Sequence, residues 1–331
     1  MNESTNSQGS GASVAPADEG GASESLLTVL IALGANAVIA VLKSVVAALT
    51  GSASMVAEAA HSWADTGNEG FLLIAERRAA KPADRDHPLG YGRAAYVWSM
   101  IAAFGLFAVG AGVSIAHGIN ALSAPEEETD YFWAYVVLAA AFVLEGVSFL
   151  QARRQLKAGA EKAEVSPLHY LSHTSNPTLR AVFFEDAAAL IGVLIAAAAM
   201  ALHQVTGNPA WDAIGSILVG VLLGFVAVYL LSRNMAFIVG QVVDPAINRA
   251  ALTWLVERPE VLHVTYLHLE YVGPQKVFLI GSVDLAGDDP ESQAARELEA
   301  LEDGLEQHPL IAKALLSLAE PGEAPLSPPG R

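Results

Sequence analysis

The sequence predicts an α-helical membrane protein with six transmembrane helices plus a small C-terminal cytoplasmic αββαβ domain. Three observations predict it. Of the 331 residues, 53% are hydrophobic and only 16% charged, against about 25% charged in ordinary globular domains. The apolar residues are gathered in runs of about 20, long enough to cross a bilayer. After Arg233 these runs stop and a globular pattern begins. A uniformly soluble enzyme and a disordered chain are both excluded. The net charge of −17 makes nucleic acid a poor partner. With no cysteine, disulfide staples, thiolate metal sites and Cys nucleophiles are ruled out.

Residues 1–24 hold four acids and no Lys or Arg among Ser, Gly, Ala and Asn. So little large apolar surface cannot offset ordering entropy, and a disordered tail is expected. The stretch lacks the basic start of a signal peptide, and the apolar run after it is too long to be one. The membrane domain is expected over 25–233, with spans near Leu26–Leu49, Ser54–Ala75, Ala94–Asn120, Tyr131–Leu150, Leu179–Leu202 and Ala210–Leu231. Residues 234–320 then read as a cytoplasmic dimerisation domain. Helical spacing over Ile247–Val256 is followed by strands at Val261–Tyr271 and Lys276–Ala286 around a Gly273-Pro274 turn. Glu291–Gln307 reads as a helix, and Leu310–Leu318 as a strand that helix fits almost as well. Residues 321–331 form a short Pro-rich tail.

Lys and Arg in the connecting loops set the orientation. Arg77, Arg78, Lys81, Arg85 and Arg93 follow span two, and Arg153, Arg154, Lys157, Lys162 and Arg180 follow span four. The links after spans one, three and five carry none, and the middle one holds Glu126, Glu127, Glu128 and Asp130. Both termini are therefore expected in the cytoplasm, with the protein in the cell's inner or plasma membrane.

A charged side chain at bilayer depth is costly and needs a partner, water or a task. Span two concentrates such groups: Glu58, His61, Asp65, Asn68 and Glu69 fall within an arc of about 100° on a helix. That stripe should face the bundle interior. His61 and Asp65, four apart, stand one above the other, so imidazole and carboxylate can converge on one ion. Such a donor set suits zinc, and also manganese, iron or cobalt. Span five adds Glu185 and Asp186. The bland alternative is interhelical hydrogen bonding; a five-residue stripe facing an acidic pair argues for a site. Lys43 reads as a structural partner for one of the excess acids, and Glu145 is left without a role.

These residues resemble a known family. His61-Ser-Trp-Ala-Asp65 in span two, then His87-Pro-Leu-Gly-Tyr-Gly-Arg93 before span three, resemble the cation diffusion facilitators. Phe184-Glu-Asp-Ala-Ala-Ala-Leu-Ile-Gly192 is most similar to the branch containing the mitochondrial zinc transporter of animals. The resemblance implies a homodimeric antiporter, not an enzyme, that exports a divalent metal, usually zinc, against protons, with no resident cofactor. It carries a metal site onto His61, Asp65 and Asp186. The family's span-five His falls on Val182, which offers no lone pair, so Glu185 is the favoured fourth ligand, with water, Asn68 or Glu58 as alternatives. His87–Arg93 reads as a fixed turn. The C-terminal domain has only His263, His268 and His308, with Ser282 and Ser317 where ligands would be expected, so no zinc cluster is expected there. His169 and His173 fall in the loop before span five, where they read as a plain polar loop or as a relay for ions.

Two ionised Asp residues would balance the ion's double charge, and protons would compete for the same ligands. An intramembrane metal hydrolase would need an open coordination position and a general base, and no span carries His-Glu-x-x-His. A metal sensor or scaffold without transport is the other rival. The retained His61, Asp65 and Asp186 argue against it.

Overall fold

The computed structural model describes residues 19–123, 130–163, 165–287, 290–320 and 322–326. Most of the expected N-terminal tail, the acidic triplet Glu126–Glu128 and most of the Pro-rich tail lie outside the described residues. The membrane domain is built from α1 (Glu19–Thr50), α2 (Ala53–Ala79), α3 (Ala94–Gly105), a π-helical segment (Leu106–Ala111) continuing into α4 (Gly112–Ala121), α5 (Phe132–Lys162), the short α6 (Pro167–His173), α7 (Pro177–Thr206) and α8 (Ala210–Val239). Among the described residues, four helices are long and apolar enough to cross a membrane: Ala94–Ala121, Phe132–Lys162, Pro177–Thr206 and Ala210–Val239. In α1 a shorter apolar segment runs over Asn36–Thr50. The interruptions in α2 are its ionisable residues.

Several boundaries differ from expectation. The helix α1 starts at Glu19, inside the stretch expected to be a tail; adding residues to an existing helix costs far less than nucleating one. The expected loop after span four is largely helical, because α5 runs on to Lys162. Likewise α8 continues past Arg233 to Val239, burying Asn234 and Phe237, and ends at Gly240. The expected boundary at 233 thus falls inside a helix. Arg180, counted as a loop cation, lies in the first turns of α7 and is fully buried. It donates to the Thr174 carbonyl, and its guanidinium lies 5.2 Å from the Phe237 ring centroid.

The two ends of α2 are held differently. At its start Ser52 accepts from the Met55 N–H as the N-cap. Asp212 of α8 closes the same end from outside, accepting from the Ser52 hydroxyl at 2.9 Å and the Ala53 N–H at 2.5 Å. Beyond the other end, Asp84 organises the His87–Arg93 turn. Its carboxylate accepts from the Asp86 and His87 N–H groups at 3.0 and 2.8 Å and from the Tyr91 hydroxyl at 2.7 Å. Those bonds, with the Tyr91 hydroxyl the strongest, hold Asp84 below the usual carboxylate range.

The C-terminal elements run α9 (Pro245–Val256), β1 (Val261–Gly273), β2 (Lys276–Leu285), α10 (Glu291–Glu306) and β3 (Ile311–Leu318). The sheet order is β1-β2-β3, with β1 antiparallel and β3 parallel to β2. Leu310–Leu318, where strand and helix fitted almost equally, is a strand; α10 supplies the crossover that a parallel pair requires. Leu255, Val264, Leu279 and Ala314 form the centre of its core. This domain meets the membrane domain at the His87–Arg93 turn. A Cβ on Gly92 would lie 2.6 Å from the Val272 carbonyl oxygen, so only glycine allows that approach. Arg93 then reaches Glu270 of β1 at 2.5 Å.

Candidate functional site

The polar stripe of α2 does face inward. Glu58, His61 and Asn68 are buried, and Asp65 and Glu69 are partly buried. Helix α1 lies along one side of the stripe, where Lys43 donates to Glu58 at 2.9 Å with both side chains fully buried. Lower on the same face, Asn36 donates to Glu69 at 2.5 Å. On the other side α7 brings Glu185 to α2, where Asn68 donates to it.

His61 Nε2 stands 3.4 Å from Asp65 Oδ2. Among the described residues neither ring nitrogen of His61 has a hydrogen-bond partner, and Asp65 Oδ1 and Glu185 Oε1 are likewise buried and unpartnered. Buried polar atoms are nearly always satisfied, so several orphaned donor atoms on facing helices mark a place built for something other than packing. They are an imidazole and two carboxylates, the donor types that zinc and its neighbours in the transition series prefer.

Asp186 behaves differently from its neighbour. Adjacent helical residues point about 100° apart, and Asp186 turns to α5, where it accepts from the Ser148 hydroxyl at 2.7 Å. The expected ligands thus stand as two groups: His61 and Asp65 with Glu185 opposite, and Asp186 toward Ser148. Among the described residues no group of three or more His, Asp or Glu side chains is close enough to hold one ion. Asn68, an alternative fourth ligand, already bonds Glu185. Lys43, expected to partner one of the excess acids, is taken by Glu58.

His169 and His173 are not in a loop but on α6, with ring centroids 4.2 Å apart and nearly parallel. His169 Nε2 lies 3.1 Å from Asp244, the N-cap of α9. They line a cavity of about 550 Å³ where α6 meets the C-terminal domain, so they stand at the domain junction. Burial pushes the Asp244 carboxyl upward, but the Ala246 N–H and His169 outweigh it and hold the group below the usual range. In the C-terminal domain Ser282 and Ser317 hydrogen-bond each other at 2.9 Å.

The sequence pointed to Lys43 on α1 as a partner for an excess acid, and Glu58 is that acid, but it did not point to Asn36 on α1 or Ser148 on α5. Asn36 and Lys43 are seven apart and Glu145 and Ser148 three apart, so each pair shares a helical face. That spacing was the available signal.

Comparison with known proteins adds the following. A family model described as the cation efflux transmembrane domain matches residues 29–239. The chain is 34% identical over 259 residues to the mitochondrial proton-coupled zinc antiporter SLC30A9 of Homo sapiens, covering 78% of this chain and 46% of that protein. It is 34% identical over 233 residues to metal tolerance protein C4 of Arabidopsis thaliana, covering 70% and 51% respectively. Magnetosome protein MamB of Paramagnetospirillum magneticum is 26% identical over 236 residues, 71% of this chain and 74% of that protein. The chain spans about half the length of the first two relatives.

Proposed function

The chain belongs to the cation efflux family, and from that premise we propose that it is a secondary active transporter exporting a divalent metal, zinc first, in exchange for protons. One observation carries this reading: the buried, unpartnered donor atoms of His61, Asp65 and Glu185 on facing helices α2 and α7. A transported ion needs ligands that can be assembled and released, and two half-assembled groups suit that need better than a closed cage. The name of the proton-coupled zinc antiporter supports the same cargo and counter-ion, and that of the metal tolerance protein supports a metal.

In this reading the ion is held by His61, Asp65, Asp186 and Glu185. Glu185 exchanges Asn68 for the ion, and Asp186 exchanges Ser148. Metal requires these groups deprotonated, so protons arriving from the far side displace it. With three carboxylates the loaded site carries one surplus negative charge, which a retained proton can balance. The excess of oxygen over nitrogen donors broadens selectivity toward manganese or iron.

Six spans are proposed: α1, α2, α3 with α4, α5, α7 and α8. Both termini are proposed to face the cytoplasm, a reading supported by the basic residues that follow α2 and those around the end of α5; this asymmetry addresses sidedness and not which membrane holds the protein. The C-terminal domain serves as the contact between two copies. The test is flux in reconstituted vesicles: an imposed gradient of zinc should drive proton movement in the opposite direction, with manganese, iron and cobalt compared in parallel. Vesicles showing no metal-dependent proton flux with any of the four ions would sink the transporter reading.

A further inference from the structure

The Lys43–Glu58 pair has no part in the site just described, yet it is built at considerable cost. Both side chains are fully buried inside the bundle, where removing two charges from water is expensive and an apolar pair of similar size often serves stability better. Glu58 Oε2 holds Lys43 at 2.9 Å. Glu58 Oε1 has no hydrogen-bond partner among the described residues. It points instead at α7, where a Cβ on Gly192 would lie 2.6 Å from it. Glycine there leaves backbone room for a carboxylate oxygen that no described residue hydrogen-bonds.

The position of that oxygen is specific. Glu58 is three residues before His61 on the buried stripe of α2, about one turn or 4.5 Å along the axis. It lies toward the Asp212-capped end of α2, away from the C-terminal domain, which packs beyond the opposite end. On α7, Gly192 is seven residues after Glu185 and so on the same face. An ion leaving the His61–Asp65 level away from the C-terminal domain along the α2–α7 seam meets Glu58 Oε1 next. The other charged groups within electrostatic reach of Lys43 are Glu145 of α5 and Asp65 of α2.

We propose that Glu58 is a transit station for the divalent cation, one turn beyond His61–Asp65 on the side away from the C-terminal domain, and that Lys43 is a tethered cation keeping it from becoming a trap. Lys43 neutralises Glu58 between passages. It also repels the metal, so the ion touches Oε1 and moves on. The inference rests on the transporter reading and adds a second site to it.

The test measures zinc affinity and zinc-driven proton flux on the full chain in vesicles, with correct folding checked by size exclusion. Lys43→Met removes the repelling charge, so zinc should bind roughly tenfold tighter or more, the scale of one unit charge a few Å away, and flux should fall. Adding Glu58→Gln to Lys43→Met should return the affinity to that of the parent chain; a purely structural pair predicts no such reversal. Gly192→Ala keeps both charges, but its Cβ would lie 2.6 Å from Oε1 and so must push that oxygen out of the α2–α7 seam. It should slow flux about tenfold with affinity unchanged, as expected when only passage is impeded, and it carries the test should Lys43→Met fail to fold. Unaltered affinity in Lys43→Met, no reversal in the double variant, or parental flux in Gly192→Ala would each overturn the station. Absence of zinc binding and flux in the parent chain would instead remove the transporter reading beneath it.

Discussion

Two lysine–glutamate pairs in this molecule have nearly the same geometry and opposite surroundings. Lys43 and Glu58 meet at 2.9 Å in the membrane domain with no exposure of either side chain. Lys313 and Glu306 meet at 2.7 Å on the C-terminal domain, 46% and 27% exposed. The second is an ordinary surface pair: burial pushes the Glu306 carboxyl upward, but the Lys313 ammonium and the Ala314 N–H together outweigh it and hold the group below the usual carboxylate range. Such pairs contribute about 0–1 kcal/mol. The first has lost its hydration, so removing either partner strands a charge at a cost of about 3–5 kcal/mol. Distance alone therefore says little about what an ion pair does. The described residues divide in a similar way: the C-terminal domain keeps an apolar core inside an acidic exterior, while the membrane domain turns Lys43, Glu58, His61 and Glu185 inward.

The largest expected effect tests whether those hidden groups are functional. Asp65→Ala or Asp186→Ala should abolish zinc-driven proton flux while size exclusion shows an unchanged assembly; parental flux in either would remove that residue from the site. Next, Lys43→Ala should cost about 3–5 kcal/mol, read as lost hydrogen-exchange protection in α1 and α2. If it costs no more than Lys313→Ala, the contrast between the two pairs collapses. In the other domain, Leu279 is fully buried, and Leu279→Ala should cost about 2–5 kcal/mol. The loss of protection should stay within β1, β2 and β3. Spread of that loss into α2 and α7 would show the two regions to be one cooperative unit.

A smaller effect concerns the junction. Asp244→Ala should loosen the first turn of α9 by about 1 kcal/mol. Because its carboxyl is held below the usual range in the folded protein, this contribution is full above that range. It declines as pH falls through it and is gone below the depressed value. Exchange rates at the start of α9, followed from pH 6 downward, would show this; a contribution that grew on acidification would exclude the charged cap. The smallest effect is Lys313→Ala, at most about 1 kcal/mol, and reduced further by salt.

Much of this was legible in the chain because membrane helices obey a simple rule. Backbone groups in lipid must bond within their own segment, so long apolar runs become helices whatever their neighbours do. The inward stripe of α2 was readable for a related reason: five polar residues on one face of an apolar helix have only one tolerable direction to point. The C-terminal strands followed from alternation, and Leu310–Leu318 was ambiguous because its eight-residue strand is nearly all apolar and lacks that alternation.

The sequence by itself determined which long helices exist, though not the short α6, that α2 is wet on one face, and that His61 and Asp65 share a turn-to-turn position. Those properties depend on helical periodicity and on the cost of charge in lipid, which act within one segment. Only the tertiary structure decided that Lys43 meets Glu58, that Asn68 takes Glu185 while Ser148 takes Asp186, and that the His87–Arg93 turn docks on β1 through Gly92. Partner choice depends on helix rotation and on the approach of distant backbones. A single small residue such as Gly192 or Gly92 can permit or forbid such an approach, and no local pattern in the chain records which neighbour it will meet.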